Sequence, residues 1–372
     1  MAESGISPYS LICTIRYLVN LLFNGFFSYI NPDSSKMDLL RNQGRISYGN
    51  LSSQDRSTLK VIFLGDVMMS RSGEPPRINP DLSHLLESAD IIVANIESPV
   101  VNNGSPTRRG LSLNFEMDTS FLSSIHSSNR KAKWILSIAN NHACDNSMGN
   151  NQDVSGIEKT IDNIKSVIPD AEVIGAEIGS ARTALSLRLE DGPTLGFVGW
   201  TEVMNRDYRH YKKKIIRETD LADSAITQIK DKVDMLFGFA HGNEEQSYSP
   251  LKETRDRWRD LLCEHKFDVI VGHGPHVLQP AEQVGEKGLL FHSIGNYCSP
   301  IGKSQTKVGA IPELTIHYSK EGISFTDYKI NILEQDNGRL SLIQDLNTEP
   351  QKHPDIISRL RRIWKPLSFN PA

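Results

Sequence analysis

The sequence predicts an α/β fold with much of its sheet parallel. Three observations carry that prediction. Short apolar runs recur along the chain, and several end at Asp, Glu, Asn or His. Between several of them lie segments with apolar residues at helical spacing. The runs are apolar throughout rather than alternating, as expected of strands buried on both faces.

In chain order, Tyr9 to Ile30 places Leu11, Ile15, Leu18, Leu22 and Phe26 at helical spacing. Arg16, Asn20 and Asn24 interrupt it, so it reads as an amphipathic helix on a membrane or protein surface, or one that packs back on the main domain. Residues 31–58 are rich in Ser, Asn, Asp and Gly and read as a linker or docked arm. Strands are then expected at Lys60–Asp66, Asp90–Glu97 and Trp134–Ala139. A helix follows at Gly156–Val167, marked by Ile157, Ile161, Ile164 and Ile168. Further strands are expected at Gly196–Trp200, Asp234–His241, Asp268–Val271 and Gly288–Asn296, with a helix at Leu251–His265 that places Trp258, Leu261 and Leu262 on one face. Pro312–Leu333 reads as an antiparallel pair turning at Lys320-Glu-Gly, and Asn347–Ala372 as peripheral, with a short basic helix at Ile356–Trp364. The expected organisation is 1–58 as helix and linker, 59–335 as the main domain and 336–372 as an extension.

Composition narrows the class of function. The chain has 372 residues, a net charge of −4 and 23% charged residues of both signs, with no polybasic footprint, so nucleic acid is not an expected partner. Cys13, Cys144, Cys263 and Cys298 are scattered without a CxxC pair, and no redox compartment follows from them. Cys144, two residues after His142, reads either as a small buried hydrophobe or as a soft ligand. The N-terminus lacks the positive region of a signal peptide, so secretion is not supported, and the location, membrane-associated or cytoplasmic, stays open.

The chemistry lies at the strand ends. Val269-Ile-Val-Gly-His273-Gly-Pro-His276 brings two histidines to the mouth of a buried strand, where ligands gather in open α/β sheets. Asp66, Glu97, Asn141 with His142, and His241 follow apolar runs in the same manner. One crevice could gather them all. Taken singly, Asp66 could cap a helix, Asn141 could take a left-handed turn and His241 could be a core histidine. Together they make a mixed oxygen and nitrogen set suited to Mn²⁺, Zn²⁺ or Fe²⁺. Arg71, Arg108 and Arg109 are candidates for holding an anionic group, or else solvated surface residues.

Gly65-Asp66-Val-Met-Met-Ser-Arg71, Ala94-Asn95-Ile-Glu97-Ser-Pro99, Ala139-Asn-Asn-His142-Ala-Cys-Asp145, Gly272-His-Gly-Pro-His276-Val-Leu-Gln279-Pro280 and Ser293-Ile-Gly-Asn296 resemble, in order, the motifs of the CapA family. That family is associated with poly-γ-glutamate capsule synthesis and is similar to calcineurin-like metallophosphoesterases. The resemblance implies a four-layer α/β/β/α sandwich of the metallophosphoesterase type, with one or two divalent ions. It implies metal ligation by Asp66, Glu97, Asn141, His241, His273 and His276, with Glu97 as the bridging carboxylate. His142 matches the histidine that protonates a leaving group, and Arg71 and Asn95 are the expected substrate contacts.

The sequence departs from the phosphoesterase pattern in places. Met68 stands where a histidine is usual, a loss shared with CapA proteins, and His273 and His276 are three apart rather than two. No tryptophan follows His241, and His292 replaces a usual tyrosine. The expected function is therefore a metal-dependent hydrolase of a phosphoester or γ-glutamyl amide in anionic-polymer metabolism. The alternative is a non-catalytic accessory protein that binds or exports the polymer with the same cleft. No GxxxxGK[ST] phosphate loop is present, so ATP-driven synthesis would fall to a synthase partner.

Overall fold

The computed structural model describes residues 40–41, 43–48, 57–104, 115–145, 155–189, 192–205, 214–221, 223–242, 245–264, 266–302, 304–344, 346, 349–354, 356–357 and 360. The expected helix at 9–30, Arg108, Arg109 and most of the basic helix at 356–364 lie outside the described residues.

The chain builds one sheet, leaves it for a second, and returns to the first. The opening part supplies β1 (Gln43–Ser47), β2 (Ser57–Val67), β3 (Arg77–Ile78), β4 (Ile91–Ile96), a small pair β5 (Val100–Val101) and β6 (Met117–Asp118), then β7 (Lys133–Ser137) and β8 (Glu172–Ile174). The second sheet follows as β9 (Ala184–Arg188), β10 (Thr194–Thr201), β11 (Met235–His241), β12 (Val269–His273), β13 (Ala281–Val284) and β14 (Gly288–Phe291). Then β15 (Asn296–Cys298), β16 (Val308–Ser319), β17 (Gly322–Asp336) and β18 (Arg339–Leu342) rejoin the first sheet.

The first sheet runs β3-β18-β17-β16-β2-β4-β7-β8, with β1 on β17 and β15 on β2. Its β2, β4, β7 and β8 are parallel, and β15 joins β2 in parallel. The hairpin of β16 and β17 is antiparallel, as the turn at Lys320-Glu-Gly predicts. The second sheet runs β13-β14-β12-β11-β10-β9 with a parallel centre.

Alternation along each strand fixes the layers. In β2, Val61 and Phe63 enter one core while Ile62 and Leu64 enter another; in β11, Phe237 and Phe239 share the core of Val61, while Leu236 and Ala240 join a third. The shared core therefore lies between the sheets, and Phe63 sits 5.7 Å from Phe237, centroid to centroid. Three helices cover the outer face of the first sheet: α1 (Pro80–Glu87), α2 (Thr119–His126) and α3 (Ser155–Val167). Asn79 caps α1 by accepting from the Leu82 amide, and Asp118 caps α2 by accepting from the Ser120 amide. On the outer face of the second sheet lie α4 (Asp223–Lys230) and α5 (Lys252–Cys263), which buries Trp258 and Leu262. The order is helix, sheet, sheet, helix, the expected α/β/β/α sandwich.

Segments on either side of 59–335 also pack on the sheets. Within the segment read as a linker, β1 pairs with β17 and buries Ile46. At the other end β18 pairs with β17, and Leu346, Ile356, Ile357 and Leu360 enter the core between the sheets. Among the described residues no helix is long and apolar enough to cross a membrane.

Candidate metal centre

Parallel pairing brings the strand ends level. Asp66 on β2 is in register with Asn95 on β4 and with Asn296 on β15. In the second sheet Thr201, His241 and His273 stand side by side at the ends of β10, β11 and β12. Glu97 follows β4 directly, and Asn140, Asn141 and His142 follow β7 within the next turn.

Glu97 joins the two sheets. Its Oε1 lies 3.2 Å from His241 Nε2 and 3.6 Å from His276 Nε2. Ligand atoms of Asp66, Glu97 and His276 all fall within 4.8 Å of one another. His241 and His273 are neighbours, their ring centroids 5.5 Å apart. Asp66, Glu97 and His273 are fully buried, and Asn141, His241 and His276 are nearly so.

The second nitrogen of each imidazole has an acceptor. His273 Nδ1 donates to the Ala240 carbonyl at 2.6 Å, and His276 Nδ1 lies 2.9 Å from Asn296 Oδ1. His241 Nδ1 is 3.5 Å from Thr201 Oγ1, whose own proton goes to the Val203 carbonyl. Such contacts turn Nε2 of each ring inward, the arrangement by which proteins prepare histidine for a cation.

Among the described residues, three buried atoms of these side chains have no hydrogen-bond partner: Glu97 Oε2, Asn141 Oδ1 and His273 Nε2. Two of them are oxygens, and the nitrogen carries a lone pair because Nδ1 of the same ring holds the proton. All three are acceptors, and a buried unpaired acceptor costs about 1–3 kcal/mol. Acceptors of this kind are what a divalent cation would satisfy, and two carboxylates, one amide oxygen and three imidazoles suit a transition metal. The residues therefore fit a metal.

The electrostatics agree. Burial pushes Glu97 well above the usual carboxylate range, and the neighbouring Asp66 charge adds to the effect. Burial would raise Asp66 too, but the hydrogen bond to His276 and the charges of the three histidines hold it well below that range. Burial takes His273 down to about 4 and His241 well below its ordinary value. His276 is raised to about 10, because Glu97 and Asp66 outweigh the opposing effect of burial.

His142 is held apart from the cluster by its own partners. Its Nδ1 lies 2.6 Å from Asp145 Oδ2, which also accepts from the Phe115 amide at 2.9 Å. Phe115 meets the imidazole edge-on, 4.7 Å between centroids. Asn140 Oδ1 accepts from the His142 amide, and Asn205 donates its backbone N–H to the Asn141 carbonyl. Nε2 is the nitrogen left for chemistry.

The remaining expected residues take different places. Asn95 is fully buried; its amide donates to Asp66 Oδ1 at 2.8 Å and its oxygen accepts from Asn140. Both ends of its side-chain amide are thus engaged inside the site, where it orients the Asp66 carboxylate. Arg71 is exposed, with Nε donating to the Pro300 carbonyl at 2.6 Å. Met68 Sδ contacts Ser299 Oγ at 3.5 Å. His292 turns to Glu282, 2.8 Å away, under the ring of Trp258. Asp145, Asn205, Thr201 and Asn296 carry no expected role from sequence. Asp145 and Asn296 stand inside the quoted motifs, whereas Thr201 and Asn205 have no local signal beyond following a strand.

Residues 60–300, more than half of the chain, match the family described as bacterial capsule synthesis protein PGA_cap. The chain belongs to the PGA_cap family. Every residue of the centre, from Asp66 to Asn296, falls within the PGA_cap match. Among PGA_cap-related proteins, the PGA biosynthesis protein CapA of Bacillus subtilis (strain 168) is 23% identical over 292 residues, covering 75% of this chain and 73% of the relative. The capsule biosynthesis protein CapA of Bacillus anthracis is 23% identical over 300 residues, covering 76% and 69%. Among solved structures, the calcineurin-like phosphoesterase YfkN from Bacillus subtilis aligns over 82% of this chain and all of its own, at 13% identity and a TM-score of 0.43.

Proposed function

We propose that this chain is a divalent-metal-dependent hydrolase acting in the synthesis or processing of an anionic polymer, poly-γ-glutamate or a related one. The observation that carries the reading is the buried cluster of Asp66, Glu97 and His276, whose ligand atoms lie within 4.8 Å of one another, with His241 3.2 Å from Glu97. These four residues, with Asn141 and His273, would hold one or two ions, with Mn²⁺, Zn²⁺ and Fe²⁺ the candidates. Such an ion supplies Lewis-acid polarisation of the scissile group and a lowered pKa for bound water.

The chain's own residues supply the rest. Asp145 holds the His142 ring by Nδ1, so that Nε2 is presented to protonate the departing oxygen or nitrogen. Arg71, fixed by the Pro300 carbonyl, has the guanidinium geometry to take a carboxylate or phosphate of the substrate. Asn95 and the Gly274 amide hold the Asp66 carboxylate in place. The bond cleaved is a γ-glutamyl amide or a phosphoester. Energy-requiring polymerisation falls to a synthase partner, and residues 9–30 are the candidate for peripheral membrane contact.

The test is hydrolysis of γ-glutamyl oligomers and of simple phosphoesters by metal-free protein and by protein reloaded with each of the three metals. The reading requires turnover that depends on metal and disappears in His142→Ala. Polymer binding that persists in that variant, with no turnover in any loaded form, would instead make the chain a polymer-binding accessory protein.

A further inference from the structure

The Ser293-Ile-Gly-Asn296 motif has no part in the chemistry described above, yet its last residue is built into the centre with unusual care. Asn296 opens β15, whose approach to β2 is closer than side chains allow. A Cβ placed on Gly65 would lie 1.8 Å from the Gly295 carbonyl oxygen, and Gly295 itself has φ +68°. The Asp66 amide donates to that same carbonyl at 3.2 Å. On the other side, a Cβ on Gly309 would lie 2.4 Å from the Asn296 carbonyl oxygen. Glycines before and after it thus seat Asn296 beside Asp66, buried to 2% exposure.

Within that seat the orientation of the amide is determined. Nδ2 donates to the Thr306 carbonyl at 3.3 Å, so Oδ1 is the atom 2.9 Å from His276 Nδ1, and it shares that nitrogen with Asp66 Oδ2, 3.1 Å away. A carbonyl oxygen only accepts, so Nδ1 carries a hydrogen and cannot bind a cation. The reactive lone pair of His276 is thereby assigned to Nε2, which faces Glu97. His276 needs such a hold, because its backbone lies at φ +60°, a strained region for a residue with a side chain.

We propose that Asn296 is a positioning residue that fixes the cation-binding tautomer and ring orientation of His276. The inference rests on the metal reading given above. Loss of such an outer partner typically weakens metal affinity about 10–100-fold. The experiment measures Zn²⁺ and Mn²⁺ affinity by competition with a chromogenic chelator, for the full-length wild type, Asn296→Ala and Asn296→Asp. The melting temperature of each metal-free protein is recorded in parallel.

The expected result is a loss of about 10–100-fold in Asn296→Ala and recovery to near wild type in Asn296→Asp. Aspartate keeps the oxygen that faces His276 and loses the amide that holds Thr306. A purely structural role through Thr306 would leave the aspartate variant as weak as the alanine one, and that result overturns the proposal. Wild-type affinity in Asn296→Ala overturns it as well. Should the alanine variant not fold, ¹⁵N-histidine spectra of zinc-loaded wild type decide: the proton on His276 Nδ1 supports the proposal, and the proton on Nε2 overturns it. A wild type that binds no ion fails the metal reading itself and takes this inference with it.

Discussion

Asp145 Oδ2 and His142 Nδ1 lie 2.6 Å apart with both side chains buried, three residues from each other in a tight turn closed by the Asp145 amide on the His142 carbonyl. The carboxylate sets which ring nitrogen is free. If His142 protonates the leaving group, Asp145→Asn should slow hydrolysis by ~10²-fold for an alkyl leaving group and much less for p-nitrophenolate, which needs no proton. Steady-state kinetics on the two esters, with metal content measured alongside, check this. An equal loss on both substrates would mean that Asp145 merely holds the turn.

The contact of Gly65 with Gly295 predicts a mechanical dependence of the site on the fold. Gly65→Ala would force β15 away from β2, because the obstruction is backbone and not the end of a flexible side chain. Overpacking of this kind costs roughly 1–3 kcal/mol or more. Urea unfolding should show that loss, and chelator competition should show weakened metal binding, since Asp66 and Asn296 sit on the displaced strands. Wild-type stability and affinity together would contradict the close approach.

A second buried charge cluster sits on the helix side of the second sheet and serves stability. Glu282 accepts from Arg255 and is bridged by Arg259, and His292 Nε2 lies 2.8 Å from Oε1. Burial alone would raise this carboxyl, but its hydrogen bonds with His292 and Arg255 and the charges of His292 and Arg259 bring it down from 4.5 to about 2. A carboxylate with a lowered folded-state pKa contributes stability that is fully present above about pH 4.5 and is lost as pH falls toward about 2. Removing one member of a buried ion cluster costs about 3–5 kcal/mol. Glu282→Gln should therefore be destabilised by about that much at neutral pH in urea titrations. Its stability gap from wild type should narrow below pH 4.5. A gap independent of pH would show that the charge of Glu282 is not what matters.

Much of this was legible in the sequence because the central strands are buried on both faces. Val61-Ile-Phe-Leu64, Ile91-Ile-Val-Ala94 and Val269-Ile-Val271 are continuous apolar runs, and a residue following such a run in a parallel sheet falls at the crevice. That is why Asp66, Glu97, His241 and His273 could be placed together. The edges were not legible. Gln43-Gly-Arg-Ile-Ser47 has one apolar residue, Ile46, and becomes a strand only by pairing with β17.

The orienting residues were hidden for a similar reason. Asn296 reaches His276 from 20 positions away, and Asn95 reaches Asp66 from 29 away, through sheet register that no local pattern encodes. Asn95 shares a motif with Glu97, and its register with Asp66 in the neighbouring strand is visible only in the fold.

The measurement that bears most directly on the central claim is the metal content of the purified protein by elemental analysis, beside Asn141→Ala and His273→Ala. These two side chains supply unpaired acceptor atoms of the centre. The account predicts near-stoichiometric transition metal in the wild type and a clear fall in both variants. A wild type that holds no metal after reconstitution with Mn²⁺, Zn²⁺ and Fe²⁺ would contradict it.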